Sequence, residues 1–238
     1  MRYINTTFLT GIFAALATSA NADIINITTG SDSFDLHSNS NDSLFSDSSG
    51  IFSSTDLATI HTMLNAWGVQ TEGFITILPM NTNAGLSLLT LIDQELGFGD
   101  TDVDASISLS STAPSSLGMY INDYEQDVWT LIDPPFGSQT MGAVFVWGGS
   151  GSGDAFAWTG LSIGDALSYS FTDNGALGDP LNAETFQFVG WTDSGWDVVS
   201  SNGFKNDGSS VFTGMVIPAP PVGIVLFTFA IGYRNRRH

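Results

Sequence analysis

Hydrophobic residues from residue 73 onward recur in short runs separated by turn-forming residues. The runs are rich in β-branched and aromatic residues, and Gly, Asp, Asn, Ser and Pro lie between them. In 166–171 (ALSYSF) apolar and polar residues alternate, which is the period of a strand with one buried face. These runs, with a further one at the start, predict strands near 24–28, 74–78, 86–92, 103–109, 117–121, 128–132, 141–147, 154–158, 166–171, 184–191, 196–199 and 211–216.

One segment has a helical period instead. In residues 54–67, Leu57, Ile60 and Leu64 follow at helical spacing, and Gly68 supplies a stop. No helical pattern separates the predicted strands, so parallel crossovers are not expected. The pattern therefore predicts an all-β fold, an antiparallel β-sandwich of jelly-roll type with one short helix.

The two ends of the chain differ from the middle. Residues 1–22 have the layout of a secretory signal peptide: Arg2, an apolar stretch over 8–17, and the small residues Ala20 and Ala22 at a cleavage site. We expect signal peptidase to cut before Asp23. Residues 23–50 form a polar N-terminal segment, and within it we expect 28–50 to be a loop, because Ser, Asp and Asn favour turns over regular structure. The sandwich is predicted to span 51–217.

The last residues combine three features. A proline cluster, Pro218-Ala219-Pro220, precedes an apolar stretch over 222–232, and three basic side chains follow, Arg234, Arg236 and Arg237. The stretch is short for a membrane span, which needs about 20 residues, but the arginines directly after it follow the positive-inside tendency. The tail predicts a single C-terminal transmembrane helix that leaves the bulk of the chain on the exported side.

This layout resembles the sorting signal of the PEP-CTERM family of exported bacterial proteins, in the variant that reads Pro-Ala-Pro. Ala219 stands where the family's name has Glu, and the resemblance covers residues 218–238 alone. It implies an exosortase-type enzyme that cuts near the motif, and a final location at the cell surface or in the extracellular matrix of a Gram-negative bacterium that makes exopolysaccharide. It does not imply what the exported domain does there.

Charge is distributed very unevenly. Residues 23–217 contain all 24 acidic side chains and one basic side chain, Lys205, a net formal charge of −23. Such a surface repels phosphate polyanions, so nucleic-acid binding is not expected. The chain has no cysteine, so no disulfide supports the fold and thiol catalysis is excluded.

Two groups of residues suggest ligands. Asp100, Asp102 and Asp104 alternate in GDTDVDAS, and either a bound Ca²⁺ or a solvent-facing strand would relieve their repulsion. Trp191 and Trp196 flank a turn in GWTDSGWD and are candidates to stack on sugar rings, whereas Trp129, Trp147 and Trp158 lie in apolar strands and are expected in the core.

The sequence contains few motifs that indicate catalysis. His37 and His61 are the histidines of the exported segment, no G-x-S-x-G motif occurs, and no catalytic residue is assigned. The sequence favours a non-enzymatic surface or matrix protein. A carbohydrate-binding module using Trp191 and Trp196 is the alternative, and a polysaccharide-active hydrolase using two of the many carboxylates is the second alternative.

Overall fold

The structure is a computed structural model that describes residues 24–39, 54–71, 74–92, 105–114, 117–122, 128–147, 154–173, 185–203 and 210–219. One helix, α1, spans Ser54–Ala66. The strands are β1 Ile24–Thr29, β2 Asp32–His37, β3 Ile75–Thr82, β4 Gly85–Ile92, β5 Ala105–Pro114, β6 Gly118–Asn122, β7 Val128–Ile132, β8 Ser138–Trp147, β9 Asp154–Thr159, β10 Ala166–Asp173, β11 Thr185–Thr192, β12 Gly195–Gly203 and β13 Ser210–Ile217.

The strands form two sheets. The seven-stranded sheet has the order β2-β1-β13-β10-β5-β8-β7, and the six-stranded sheet has the order β12-β11-β3-β4-β9-β6. The prediction of a mostly β, two-sheet sandwich with one helix is confirmed, and each predicted strand is present. The expectation of purely antiparallel pairing is corrected, because β3 and β11 pair in parallel. The jelly-roll-like winding remains a prediction.

Two hydrophobic cores lie on the two faces of the six-stranded sheet. The first fills the space between the sheets and is rich in aromatic residues, including Trp158, Phe171 and Phe212. The second lies between the six-stranded sheet and α1, where Leu57, Ile60 and Leu64 of the helix are fully buried. The molecule therefore has three layers: sheet, sheet and helix.

The helix ends as its sequence predicts. Gly68 has a φ of 81°, a left-handed conformation that suits glycine. Its N–H donates to the carbonyl of Asn65 at 2.9 Å, and the N–H of Val69 donates to the carbonyl of Leu64 at 3.0 Å. These bonds satisfy carbonyls of the last turn, and the chain then turns toward β3.

The expectation of a loop throughout 28–50 is wrong for β2. Asp32–His37 pairs with β1 along its whole length, Leu36 is fully buried, and Phe34 packs against Phe188 with ring centroids 5.1 Å apart. Phe34 and Leu36 alternate with Ser33 and Asp35, so a two-residue period was present within a polar composition. The sandwich thus includes 24–37, ahead of the predicted start at residue 51, whereas 40–53 lie outside the described residues.

The predicted signal peptide and the predicted C-terminal membrane helix lie outside the described ranges. Residues 1–22 and the apolar stretch 222–232 are not among the described residues. Within the described part of the chain, no helix is both long enough and apolar enough to cross a membrane.

Candidate functional site

The chain enters and leaves the sandwich at the same end of the seven-stranded sheet. Ile24, the first residue of β1, is paired with Ile217, the last residue of β13. Because neighbouring strands lie about 4.8 Å apart, the segments that precede Ile24 and follow Ile217 start side by side. We call Ile24, Ile217, Pro218 and Ala219 the junction end.

The last strand is held firmly up to the junction end. The N–H of Val216 donates to the carbonyl of Asp165 at 3.0 Å, and the N–H of Gly164 donates to the carbonyl of Val216 at 2.9 Å. Asp165 is itself placed by its carboxylate, which accepts from the N–H of Ser162 at 2.7 Å. Val216 is almost fully buried. The loop before β10 therefore fastens the end of β13.

Ordered pairing stops at the proline. Pro218 is exposed and Ala219 is half-buried. Proline has no N–H to continue a ladder, so it suits a point where a strand ends. The other predicted processing residues lie outside the described residues: Ala20, Ala22, Asp23, Pro220, Arg234, Arg236 and Arg237. The junction end thus presents the start of the Pro-Ala-Pro motif in a chain that leaves a fixed strand.

The two tryptophans predicted to bind sugar do not form an exposed flat surface. Trp191 and Trp196 face each other across the β11–β12 hairpin, with ring centroids 5.6 Å apart and planes at 81°. Trp196 is only 2% exposed, and Trp191 is half-buried. Stacking on a sugar ring would need exposed ring faces, whereas the hairpin places both rings on the face that α1 covers.

A third tryptophan completes this cluster. Trp67, just after α1, packs edge-to-face on Trp191 with centroids 5.6 Å apart, and it is 50% exposed. Its ring also lies on Gly195, where a Cβ would come within 2.4 Å of ring atoms. Gly195 has a φ of 117°, so two constraints favour glycine there. The cluster joins the end of the helix to the hairpin.

The tryptophans predicted to be core residues have different environments. Trp158 is fully buried, and its Nε1 donates to Ser111 Oγ of the other sheet at 2.8 Å. Trp129 is 42% exposed, so its predicted core position is wrong, because β7 is an edge strand. The side chain of Trp147 lies outside the described residues.

The candidate acidic and catalytic residues yield no assembled site in the described ranges. Asp100, Asp102 and Asp104 lie outside them, and the residues that are described contain no group of three or more potential metal ligands. His61 Nδ1 lies 2.9 Å from Thr71 Oγ1, a contact that ties α1 to the segment leading into β3.

The sequence did not reveal the pairing of Ile24 with Ile217, since nothing local to either residue indicates a partner at the other end of the chain.

Comparison with protein-family models, with curated proteins and with solved structures finds no match to this chain.

Proposed function

We propose that this chain is an exported protein of the bacterial cell surface or extracellular matrix, with a structural or interaction role and no catalysis. An N-terminal signal peptide directs its export. A PEP-CTERM-like tail, with the motif at Pro218-Ala219-Pro220, then holds it in the inner membrane until an exosortase-type enzyme processes it.

The junction end is the observation that carries this proposal. The pairing of Ile24 with Ile217 places the start and the end of the sandwich at one end of one sheet, so a leader and a C-terminal anchor would both join the domain on the side that faces the membrane. Among the described residues, the buried ones begin at Ile24 and end at Val216, so processing outside 24–217 would leave the described parts of both cores intact.

The charge distribution supports the same orientation. Residues 23–217 have a net formal charge of −23, whereas the tail has three arginines after its apolar stretch. Lys and Arg next to a membrane segment favour the cytoplasmic side. An acidic domain is repelled by anionic lipid headgroups. The domain would therefore stand off the membrane while the tail anchors it.

The outer face of the seven-stranded sheet suits contact with a hydrated, uncharged polymer such as exopolysaccharide. Its outward side chains are mainly hydroxyl-bearing, including Thr28, Ser110, Thr112, Ser168 and Thr213. Thr112 and Ser168 are already hydrogen-bonded across strands, with their oxygens 2.5 Å apart. A carbohydrate-binding module built on Trp191 and Trp196 lacks this support, since their rings are perpendicular and one is buried.

Intact-mass analysis of the chain recovered from producing cells and from their medium tests the proposal. We expect a mature form that begins at Asp23 and ends near Pro218-Ala219-Pro220. Replacement of Arg234, Arg236 and Arg237 by Gln should reduce the membrane-held intermediate, because the charges that retain the tail on the cytoplasmic side are removed.

A matched control uses the basic residue of the domain. Lys205→Gln removes a positive charge outside the tail, and it should leave the processed masses unchanged, because lysine and glutamine residues have nearly the same mass. A mature pool that still ends at His238 in the medium, from the unaltered chain, would refute the sorting role.

A further inference from the structure

The edge strand β7 exposes an apolar patch. Its five residues are all exposed, and the four apolar ones have large exposed fractions, with Phe136 in the following loop more exposed still. The exposures are 65% for Val128, 42% for Trp129, 39% for Leu131, 66% for Ile132 and 89% for Phe136. We call these five residues the β7 patch.

The opposite edge of the same sheet is protected. β2 contains Asp32 and Asp35, and Asp35 Oδ1 accepts a hydrogen bond from Asn26 Nδ2 at 2.7 Å. Gly190 of β11 lies against the β2 backbone, at Leu36 and His37. Charged residues and covering elements are the usual means by which an edge strand avoids pairing. Within Val128–Ile132 there is no charge and no proline, and its pairing with β8 has no register shift.

The order of residues in β7 is self-complementary. Trp129 and Leu131 are paired with the inward-facing Ala143 and Met141, so they lie on the inner side, whereas Val128 and Ile132 lie on the outer side. If a second β7 ran antiparallel with the two Thr130 residues opposed, Val128 would face the partner's Ile132. Trp129 would face the partner's Leu131. Each apolar side chain would thus gain an apolar neighbour.

Charge and area both favour a second copy as the occupant. Val128–Ile132 contains no charge, and Asp133 follows it before Phe136, so the strand itself has no side chain that would form an ion pair with a basic or an acidic partner strand. Counting large side chains at roughly 150–250 Å² each, the patch exposes on the order of 500 Å². Two copies would bury at most about 1,000 Å², which reaches the lower limit for a specific interface.

We propose that β7 pairs antiparallel with the β7 of a second copy, with a two-fold axis at Thr130, so that two seven-stranded sheets become one. The N–H and C=O groups of β7 that point away from β8, and that pair with no described strand, would then be satisfied. Because both domains are strongly acidic, added salt strengthens the pairing by screening their repulsion. This inference does not depend on the proposed sorting role.

The absence of cysteine makes a direct test possible. Directly opposed residues of an antiparallel pair have Cα atoms about 4.5–5.5 Å apart, within the disulfide range of about 4.4–6.8 Å. Under mild oxidation, the Thr130→Cys chain should form a disulfide-linked dimer, and more of it at high salt. Thr213→Cys is the control, because Thr213 is also an exposed threonine, on the outer face of the central strand β13.

A second pair of variants tests the unlinked chain. Val128→Lys should lower the dimer fraction in sedimentation velocity by about tenfold or more, because the interface would bury an unpaired charge. Val211→Lys makes the same change at a valine that is 48% exposed on β13, and should leave the dimer fraction unchanged. Equal cross-linking of the two cysteine variants would overturn the proposal. So would a wholly monomeric parent chain, or cross-linking of Thr130→Cys to a different protein without self-linkage.

Discussion

The two sheets differ in how many of their faces are buried. In β13 of the seven-stranded sheet, exposed and buried residues alternate from Val211 to Val216. In β9 of the six-stranded sheet, every residue is buried, and β3 is buried at nearly every position. The seven-stranded sheet has one core, whereas the six-stranded sheet lies between that core and α1. A doubly covered sheet therefore needs continuous apolar runs, and a singly covered sheet needs alternation.

The polar side chains of the two sheets differ in the same way, since several of those in the six-stranded sheet are buried and the outward ones of the seven-stranded sheet are not. In the six-stranded sheet, Gln187 is almost fully buried, and its Nε2 donates to Thr76 Oγ1 at 2.7 Å and to the carbonyl of Gln70 at 2.6 Å. Thr82 and Ser87, also buried, share a hydrogen bond of 3.0 Å. A buried polar group without a partner costs stability. The outward hydroxyls of the seven-stranded sheet have no such requirement, since water reaches them.

The largest contrast is expected within one strand of the seven-stranded sheet. Phe171 is fully buried among Tyr169, Phe186 and Phe212, whereas its neighbour Thr172 is exposed. Phe171→Ala should lower the free energy of unfolding by about 3–5 kcal/mol through the cavity it leaves. Thr172→Ala should change it by no more than about 0.5 kcal/mol. Denaturant unfolding followed by tryptophan fluorescence measures both, and equal losses would show that the two faces are not distinct.

The same comparison in the six-stranded sheet should give two similar losses. Leu88 and Leu89 are adjacent in β4 and both fully buried, Leu88 in the core between the sheets and Leu89 in the core under α1. Leu88→Ala and Leu89→Ala should each cost about 2–5 kcal/mol in urea unfolding. A loss of under about 0.5 kcal/mol for Leu89→Ala would mean that the helix does not cover this face in solution.

The smallest effect concerns a tyrosine on the inner face of the seven-stranded sheet. Burial raises the pKa of the Tyr169 phenol well above its ordinary value, and its hydroxyl has no hydrogen-bond partner among the described residues. Because the pKa is raised in the folded state, the contribution of the Tyr169 phenol to the free energy of unfolding is fully present below the unfolded pKa of about 10. It is lost as pH rises further, because the unfolded phenol ionises first.

Tyr169→Phe should therefore change stability by no more than about 1 kcal/mol at neutral pH, and it should weaken the loss of stability above about pH 10. Thermal unfolding from pH 7 to 11 measures this, with the remaining tyrosines as a background common to both chains. An alkaline loss that is the same in both chains would contradict the assignment.

Much of the secondary structure could be predicted, because each element has a period of its own. The strand at 128–132 and the helix at 54–67 were both visible locally. The wrong predictions of side-chain exposure have one cause: exposure depends on what packs against a residue in the folded chain. Trp129 in an apolar strand is half-exposed because, among the described strands, β7 pairs only with β8. Trp196 beside a turn is buried because α1 and Trp191 cover its hairpin.

The junction end and its tail motif also have one part that the sequence predicts and one part that it does not. Its chemistry was readable from the sequence, since a proline cluster, an apolar stretch and arginines are linear features. The meeting of Ile24 with Ile217 was not, because strands at opposite ends of a chain become neighbours only when the whole sheet is assembled.

The sequence by itself determined that the chain is mostly β, that one short helix accompanies the strands, and that the net charge of the chain is strongly negative. These are local or additive properties: side-chain periodicity, turn residues and counted charges. Only the tertiary structure decided which sheet is covered on both faces, which of the described edge strands exposes apolar side chains, and where the two ends of the domain meet. Those depend on pairing between distant residues, and no local pattern specifies the partner.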